Sequence, residues 1–156
     1  MREREGVGRG PQGSSLEDLR ERLERDPFAR SLGIHILELG EGSAKLEMAL
    51  RPEMANFMGA IHGGAIFTLA DHAFAAACNS HGVPAVALHV DMTYFSVPPA
   101  GSVLTAEARE LHRSRRTGTY RIEISTREGA LVASFQGIAY RKVKDHVGQD
   151  EGIGKS

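Results

Sequence analysis

Cysteine occurs once in this chain of 156 residues, at Cys78, so no internal disulfide can form. Its alanine neighbours mark it as small core filler. No apolar run approaches the roughly 20 residues that a membrane span needs. The N-terminal MREREGVGRG is charged and no apolar segment follows it, which argues against a secretory signal and makes a cytoplasmic location the expectation. Neither sign of charge is in surplus: 19 basic residues against 20 acidic ones leave a net charge of −1. No global field is therefore available to gather nucleic acid or anionic lipid. Internal repeats, low-complexity tracts and a helix-turn-helix segment are all missing. His62, His72 and His81 are too widely spaced to share one helical face, and HExxH spacing is absent, so no metal site is expected.

What remains is ordinary for one globular domain, with 41% hydrophobic and 25% charged residues. Residues 1–14 and 142–156 read as flexible tails, polar and Gly-rich, around a domain at 15–141. Leu16, Leu19 and Leu23 fall at helical spacing behind Ser15, giving a short amphipathic helix that Asp26-Pro27 is expected to close. After Gly33 the period changes to two. Ile34 to Leu37 and Ala44 to Leu50 form a hairpin around Gly40-Glu41-Gly42. Val86, Leu88, Val90, Met92 and Tyr94 are expected on one face of a third strand, opposite His89, Asp91 and Thr93. Val103 to Leu111, Thr119 to Arg127 and Leu131 to Arg141 complete a meander. Between the second and third strands, His62 to about Ser80 reads as a helix apolar nearly all round, which must be wrapped by sheet. The fold class is α+β, with about six antiparallel strands and one long central helix.

Within that helix stands one carboxylate, Asp71, among Leu69, Ala70, Ala73 and Phe74. A buried acid must be paired, protonated or open to something small and polar. At the helix start, His62-Gly63-Gly64 offers free backbone N–H groups and a positive dipole, suited to an anion or a developing oxyanion. Gly63 and Asp71 are eight residues apart, about 12 Å along the axis, too far to touch one carbon in one chain. Two antiparallel copies of the helix about a two-fold axis would set Gly63 of one beside Asp71 of the other. Taken singly, each feature has a plainer reading: a tight turn, a structural histidine, an acid paired with an arginine. Met54, Phe57 and Met58 read as packing residues or as lining for an apolar pocket.

Asn56-x-x-Gly59-x-x-His62-Gly63-Gly64, followed by Leu69-Ala70-Asp71-x-Ala73-Phe74-Ala75 and Asn79, resembles the hotdog-fold acyl-CoA thioesterases of the phenylacetic acid degradation (PaaI) type. The resemblance implies a helix held in a curved antiparallel sheet, dimers with a continuous sheet, and tetramers built from two dimers. It implies hydrolysis of an acyl-CoA of the phenylacetyl or hydroxyphenylacetyl kind to free acid and CoA, with no metal or redox cofactor. Asp71 would be general base or nucleophile, Gly63 the oxyanion donor from the partner subunit, and Asn56 and His62 supports. A serine that one eukaryotic subgroup places on the strand after the helix is replaced here by Ala87.

Gly64 would let the substrate approach the backbone. Arg113, Arg115 and Arg116, read from composition as a solvated turn, become candidates for the nucleotide phosphates. Two rival readings are a hotdog dehydratase for 3-hydroxyacyl thioesters, with His62 and Asp71 converging on substrate, and a non-catalytic acyl-CoA-binding module. The module would have no need of Asp71.

Overall fold

The computed structural model describes residues 15–144. The tails expected at 1–14 and from residue 145 onward lie outside the described residues. Helix α1 (Leu16–Glu24) begins at a reciprocal cap, in which the Ser15 hydroxyl accepts from the Asp18 N–H and the Asp18 carboxylate accepts from the Ser15 N–H. Asp26-Pro27 does more than end it. Asp26 caps a second helix, α2 (Pro27–Ser31), accepting from the Ala29 N–H at 2.9 Å, and Pro27 occupies the first turn, where its missing N–H has no cost.

Six strands make one antiparallel sheet: β1 (Ile34–Gly40), β2 (Ser43–Ala49), β3 (Ala85–Tyr94), β4 (Val103–Arg113), β5 (Thr117–Thr126) and β6 (Leu131–Arg141). Their spatial order is β1-β2-β4-β5-β6-β3, so the third strand in sequence crosses over to become an edge. The long helix α3 (Gly63–Asn79) provides that crossover and packs against all six strands. This is the hotdog arrangement. A single 3₁₀ turn, Pro52–Met54, leads into the loop before α3.

Ala65, Ile66, Leu69, Ala70, Ala73, Phe74, Ala76 and Ala77 of α3 are buried against the inner face of the sheet. Opposite them, Thr68, Asp71, Ala75 and Asn79 form a stripe, at spacings of three and four, that the chain covers only in part. Two contacts fix the rotation that creates this division. The Phe74 ring meets Tyr120 and Phe135 with centroids 5.7 Å away in each case. It lies so close to β6 that a Cβ on Gly137 would sit 2.8 Å from it. At the other end, the Asn79 carboxamide donates to the carbonyls of Ala75 (3.0 Å) and Ala85 (3.2 Å) and accepts from the Ala85 N–H (2.9 Å), joining the end of α3 to the start of β3.

Strand β3 departs from the expected pattern. Val90, Met92 and Tyr94 lie opposite Gly137, Phe135 and Ala133 on the inner face, but the register shifts between Ala87 and His89. This bulge at Leu88 reverses the alternation, and Val86 falls opposite Tyr140 on the outer face. Val86 and Leu88 are exposed as a result. The expected common face for Val86, Leu88, Val90, Met92 and Tyr94 is therefore correct only from Val90 onward.

Replacing Gly137 by alanine will lower stability by about 1–3 kcal/mol, because the Phe74 ring is boxed in by Tyr120 and Phe135 and cannot retreat. Denaturant unfolding measures this; an unchanged midpoint would show that the ring has room to move.

Candidate active site

The segment before α3 is a closed loop. Its base is an isolated antiparallel bridge between Ala55 and Ile61. Across it, the Asn56 carboxamide oxygen accepts from the N–H groups of Met58 (2.9 Å) and Ala60 (3.1 Å), while the Asn56 N–H bonds the Ala60 carbonyl at 2.7 Å. Gly59 turns the chain with a φ of 81°, a conformation open to glycine without steric cost. Asn56 is thus the loop's organiser. Met54 beneath it is buried, whereas Phe57 and Met58 project from the tip at 96% and 72% exposure, so only Met54 packs within the chain.

His62 is the cap of α3. Its Nδ1 accepts from the Gly64 N–H at 2.9 Å, and its carbonyl accepts from the Ala65 N–H. The first-turn N–H groups are thereby divided. Those of Gly64 and Ala65 are taken, and that of Gly63 has no hydrogen-bond partner among the described residues, which leaves a donor with the helix dipole behind it. Tyr94 completes the arrangement: its hydroxyl donates to the Gly63 carbonyl at 2.9 Å, and its ring would stand 3.3 Å from a Cβ at Gly63. The pattern along β3 gave Tyr94 only an apolar face. No signal in the chain joins it to a residue 31 positions earlier, and only the pairing of β3 with β6 brings it there.

Asp71 lies two turns further along α3, half-buried, and its carboxylate has no hydrogen bond or ion pair among the described residues. Of the three options open to a buried acid, pairing is the one the structure does not use. Burial raises its pKa above the ordinary carboxylate value, with the neighbouring His72 pulling in the opposite direction. His72 itself turns away toward α1. Burial lowers its pKa, partly offset by Asp26 and by a hydrogen bond to the Leu23 backbone. Cys78 is no rival nucleophile, since burial, assisted by the charge of Asp71, pushes its thiol up to about 12.

Two clefts flank the loop. One, of about 490 Å³, is lined by Leu50, Ala55, Ala60, Ile61 and Val97. The other, of about 670 Å³, lies between α2 and the start of α3 and is lined by Phe28, Leu32, Met54, His62, Gly64 and Thr68. Gly63 and Asp71 sit about 12 Å apart along one continuous helix. A single chain therefore does not assemble donor and acid around one reacting atom.

The basic turn is at the far end of the molecule, between β4 and β5. Arg113 bonds Glu110 through Nε at 3.3 Å, and Arg116 Nη1 donates to the Tyr140 hydroxyl at 3.1 Å. Glu110 also accepts from the Tyr120 hydroxyl at 2.7 Å and pairs with His81 Nε2 at 2.7 Å. Its own burial would raise its pKa, but the hydrogen bonds from Tyr120 and His81 and the charges of His81 and Arg113 outweigh that and hold it below the usual glutamate value. This network joins residues 10 and 29 positions apart, and no spacing rule finds such pairs.

Residues 58–133 match the thioesterase superfamily. The acyl-coenzyme A thioesterase PaaI of Escherichia coli K12 is 42% identical over 118 residues, which are 76% of this chain and 84% of that protein. The solved structure of the E. coli PaaI protein from the phenylacetic acid degradation operon superposes with a TM-score of 0.75 at 39% identity, covering 81% of this chain and 96% of that one. A mutant of the phenylacetic acid degradation protein PaaI of Thermus thermophilus gives a TM-score of 0.72 at 45% identity, covering 74% of this chain and 99% of that one.

The capping role of His62 has a direct check. His62→Ala will cost about 1 kcal/mol of stability, whereas His62→Asn, which keeps a capping acceptor, will cost only a few tenths. Equal losses in thermal unfolding would show that the cap is immaterial.

Proposed function

This chain belongs to the thioesterase superfamily and is a thioester hydrolase, and from that premise we propose that a homodimer hydrolyses acyl-CoA, with Asp71 as the base and the partner subunit's Gly63 N–H as the oxyanion donor. The observation that carries this reading is the Asp71 carboxylate: half-buried, raised in pKa, and without a partner among the described residues, on a helix otherwise filled with apolar and small residues. A purely structural acid would be paired. One unengaged N–H at Gly63 is the matching half.

In the proposed reaction Asp71 removes a proton from water as the water oxygen bonds to the thioester carbon. The carbonyl electron pair moves to oxygen, where the Gly63 N–H stabilises it. When the tetrahedral intermediate collapses, the carbon–sulfur bond breaks and Asp71 returns its proton to the leaving thiolate of CoA. Asn56 and His62 serve by shaping the loop and the helix start rather than by touching the reacting carbon. With its own N–H bonded to His62, Gly64 serves by allowing close approach of the acyl group. Arg113, Arg115 and Arg116 receive the nucleotide phosphates.

The dimer is part of the proposal because the site needs it. β3 is an edge strand bearing exposed Val86, Leu88 and Tyr94, and continuing the sheet across it with a second copy would set two α3 helices antiparallel. Phe57 and Met58, outside their own chain's core, would then close against the partner and line the acyl pocket. Two such dimers would make the tetramer. An aromatic acyl group of the phenylacetyl or hydroxyphenylacetyl kind is the favoured substrate, by likeness to the PaaI proteins of phenylacetic acid degradation.

Asp71→Asn will reduce thiol release from phenylacetyl-CoA by about 10²–10⁴-fold while leaving the fold and CoA binding intact. Unchanged turnover would remove Asp71 from the mechanism. In the native enzyme, kcat/KM will fall as pH drops, because the base must be ionised. Since the Asp71 pKa is raised, that acid limb will lie above the ordinary aspartate value of 3.8. A profile flat down to that value would contradict an aspartate base.

A further inference from the structure

Arg141, the last residue of β6, is only 8% exposed. Among the described residues it is the one arginine or lysine that is buried. Its Nη1 donates to the carbonyls of Ser114 (2.8 Å) and Arg115 (3.0 Å), and its backbone N–H bonds the Arg116 carbonyl at 2.7 Å. Three successive carbonyls of the β4–β5 turn therefore face one buried residue. Its Nε is buried with no hydrogen-bond partner among the described residues. Burying a cation with one donor unsatisfied is costly, and the turn above it carries three more arginines, Arg113, Arg115 and Arg116. A solvent-facing turn of this length needs no such foundation to stay folded. An arrangement that gathers four guanidinium groups in a chain of net charge −1 is instead suited to a polyanion.

The location of the turn matches that use. Arg141 is the register partner of Ala85, and Ala85 is held by Asn79 at the end of α3. From Asn79 back to Asp71 is eight residues of helix, about 12 Å. The turn therefore stands beyond the end of α3, set off from the carboxylate by a gap that a pantetheine-like arm can bridge. Glu110, itself braced by Tyr120 and His81, steadies Arg113 at the near side of the turn, and Arg141 steadies its floor.

We infer that Arg141 is a positioning residue for the nucleotide end of acyl-CoA: by holding two turn carbonyls inward through its guanidinium, beside a third held by its backbone N–H, it fixes the form in which the arginines of the turn receive the phosphates. This rests on the acyl-CoA reading above, and the test separates the two. Arg141→Lys ends one bond short of the Nη1 that meets both carbonyls and gives up the rigid guanidinium plane that aims it. The variant will raise KM for phenylacetyl-CoA about tenfold with kcat within about twofold, leave KM for phenylacetyl-pantetheine unmoved, and weaken binding of 3′,5′-ADP by calorimetry about tenfold. An equal rise in KM for both thioesters, or unaltered 3′,5′-ADP binding in a variant that unfolds at the native midpoint, overturns the inference. If Arg141→Lys does not fold, the exposed-turn variant Arg113→Gln/Arg115→Gln decides: weaker 3′,5′-ADP binding supports the turn as the phosphate site that Arg141 builds, and unchanged binding refutes it. Should native protein release no thiol from either thioester yet bind 3′,5′-ADP in an Arg141-dependent way, the hydrolase mechanism would fail and the positioning role would stand.

Discussion

The rotation of α3 within the sheet is the constraint on which the other features depend. Phe74 is wedged between Tyr120, Phe135 and the bare backbone of Gly137, and Asn79 is tied by three hydrogen bonds at the helix end. A helix pinned at both places cannot turn about its axis without leaving a ring unpacked or an amide unsatisfied. Its outward stripe is thereby chosen, and Asp71 belongs to it. Rotation by a single residue position, about 100°, would carry the carboxylate into the aromatic core, where ionisation would be prohibitive.

The same packing divides the polar work of the helix between its two ends. At the start, His62 takes the Gly64 N–H and Tyr94 holds the Gly63 carbonyl, while the Gly63 N–H is unengaged among the described residues. Beyond the other end, His81, Glu110, Tyr120 and Arg141 brace a turn dense in arginine. Apolar and small side chains fill the length between, and they keep the dielectric around Asp71 low enough to favour its protonated form relative to water. A long ligand with a reactive end and an anionic end is the occupant that the acyl-CoA reading proposes for a molecule built this way.

Different parts of the chain were legible to different degrees. The limits of α3 followed from its composition, with His62 ending as a cap and not as the first helical residue. The β1–β2 hairpin and the β4–β5–β6 meander matched their alternation closely, with boundaries that moved by only a few residues at the strand ends. Asp26-Pro27 was ambiguous because the same pair that stops one helix is a good opening for the next. β3 misled beyond its bulge: alternation carries parity only while the register is unbroken, and one extra residue at Leu88 inverts it. Phe57 and Met58 looked like packing residues because an apolar side chain in a sequence does not declare whether its own chain or another will cover it.

Residue order alone was sufficient for the architecture and, through the resemblance carried by one motif, for naming Asn56, His62, Gly63 and Asp71 as candidates, because hydrophobic period and motif spacing are local properties of the chain. Contacts among distant residues needed the fold. The seating of Tyr94 on Gly63, the bracing of Glu110 by His81 and Tyr120, and the burial of Arg141 under the arginine turn all arise from cross-strand register and helix rotation. Those are set by how the whole core packs at once, and no window of sequence contains that information.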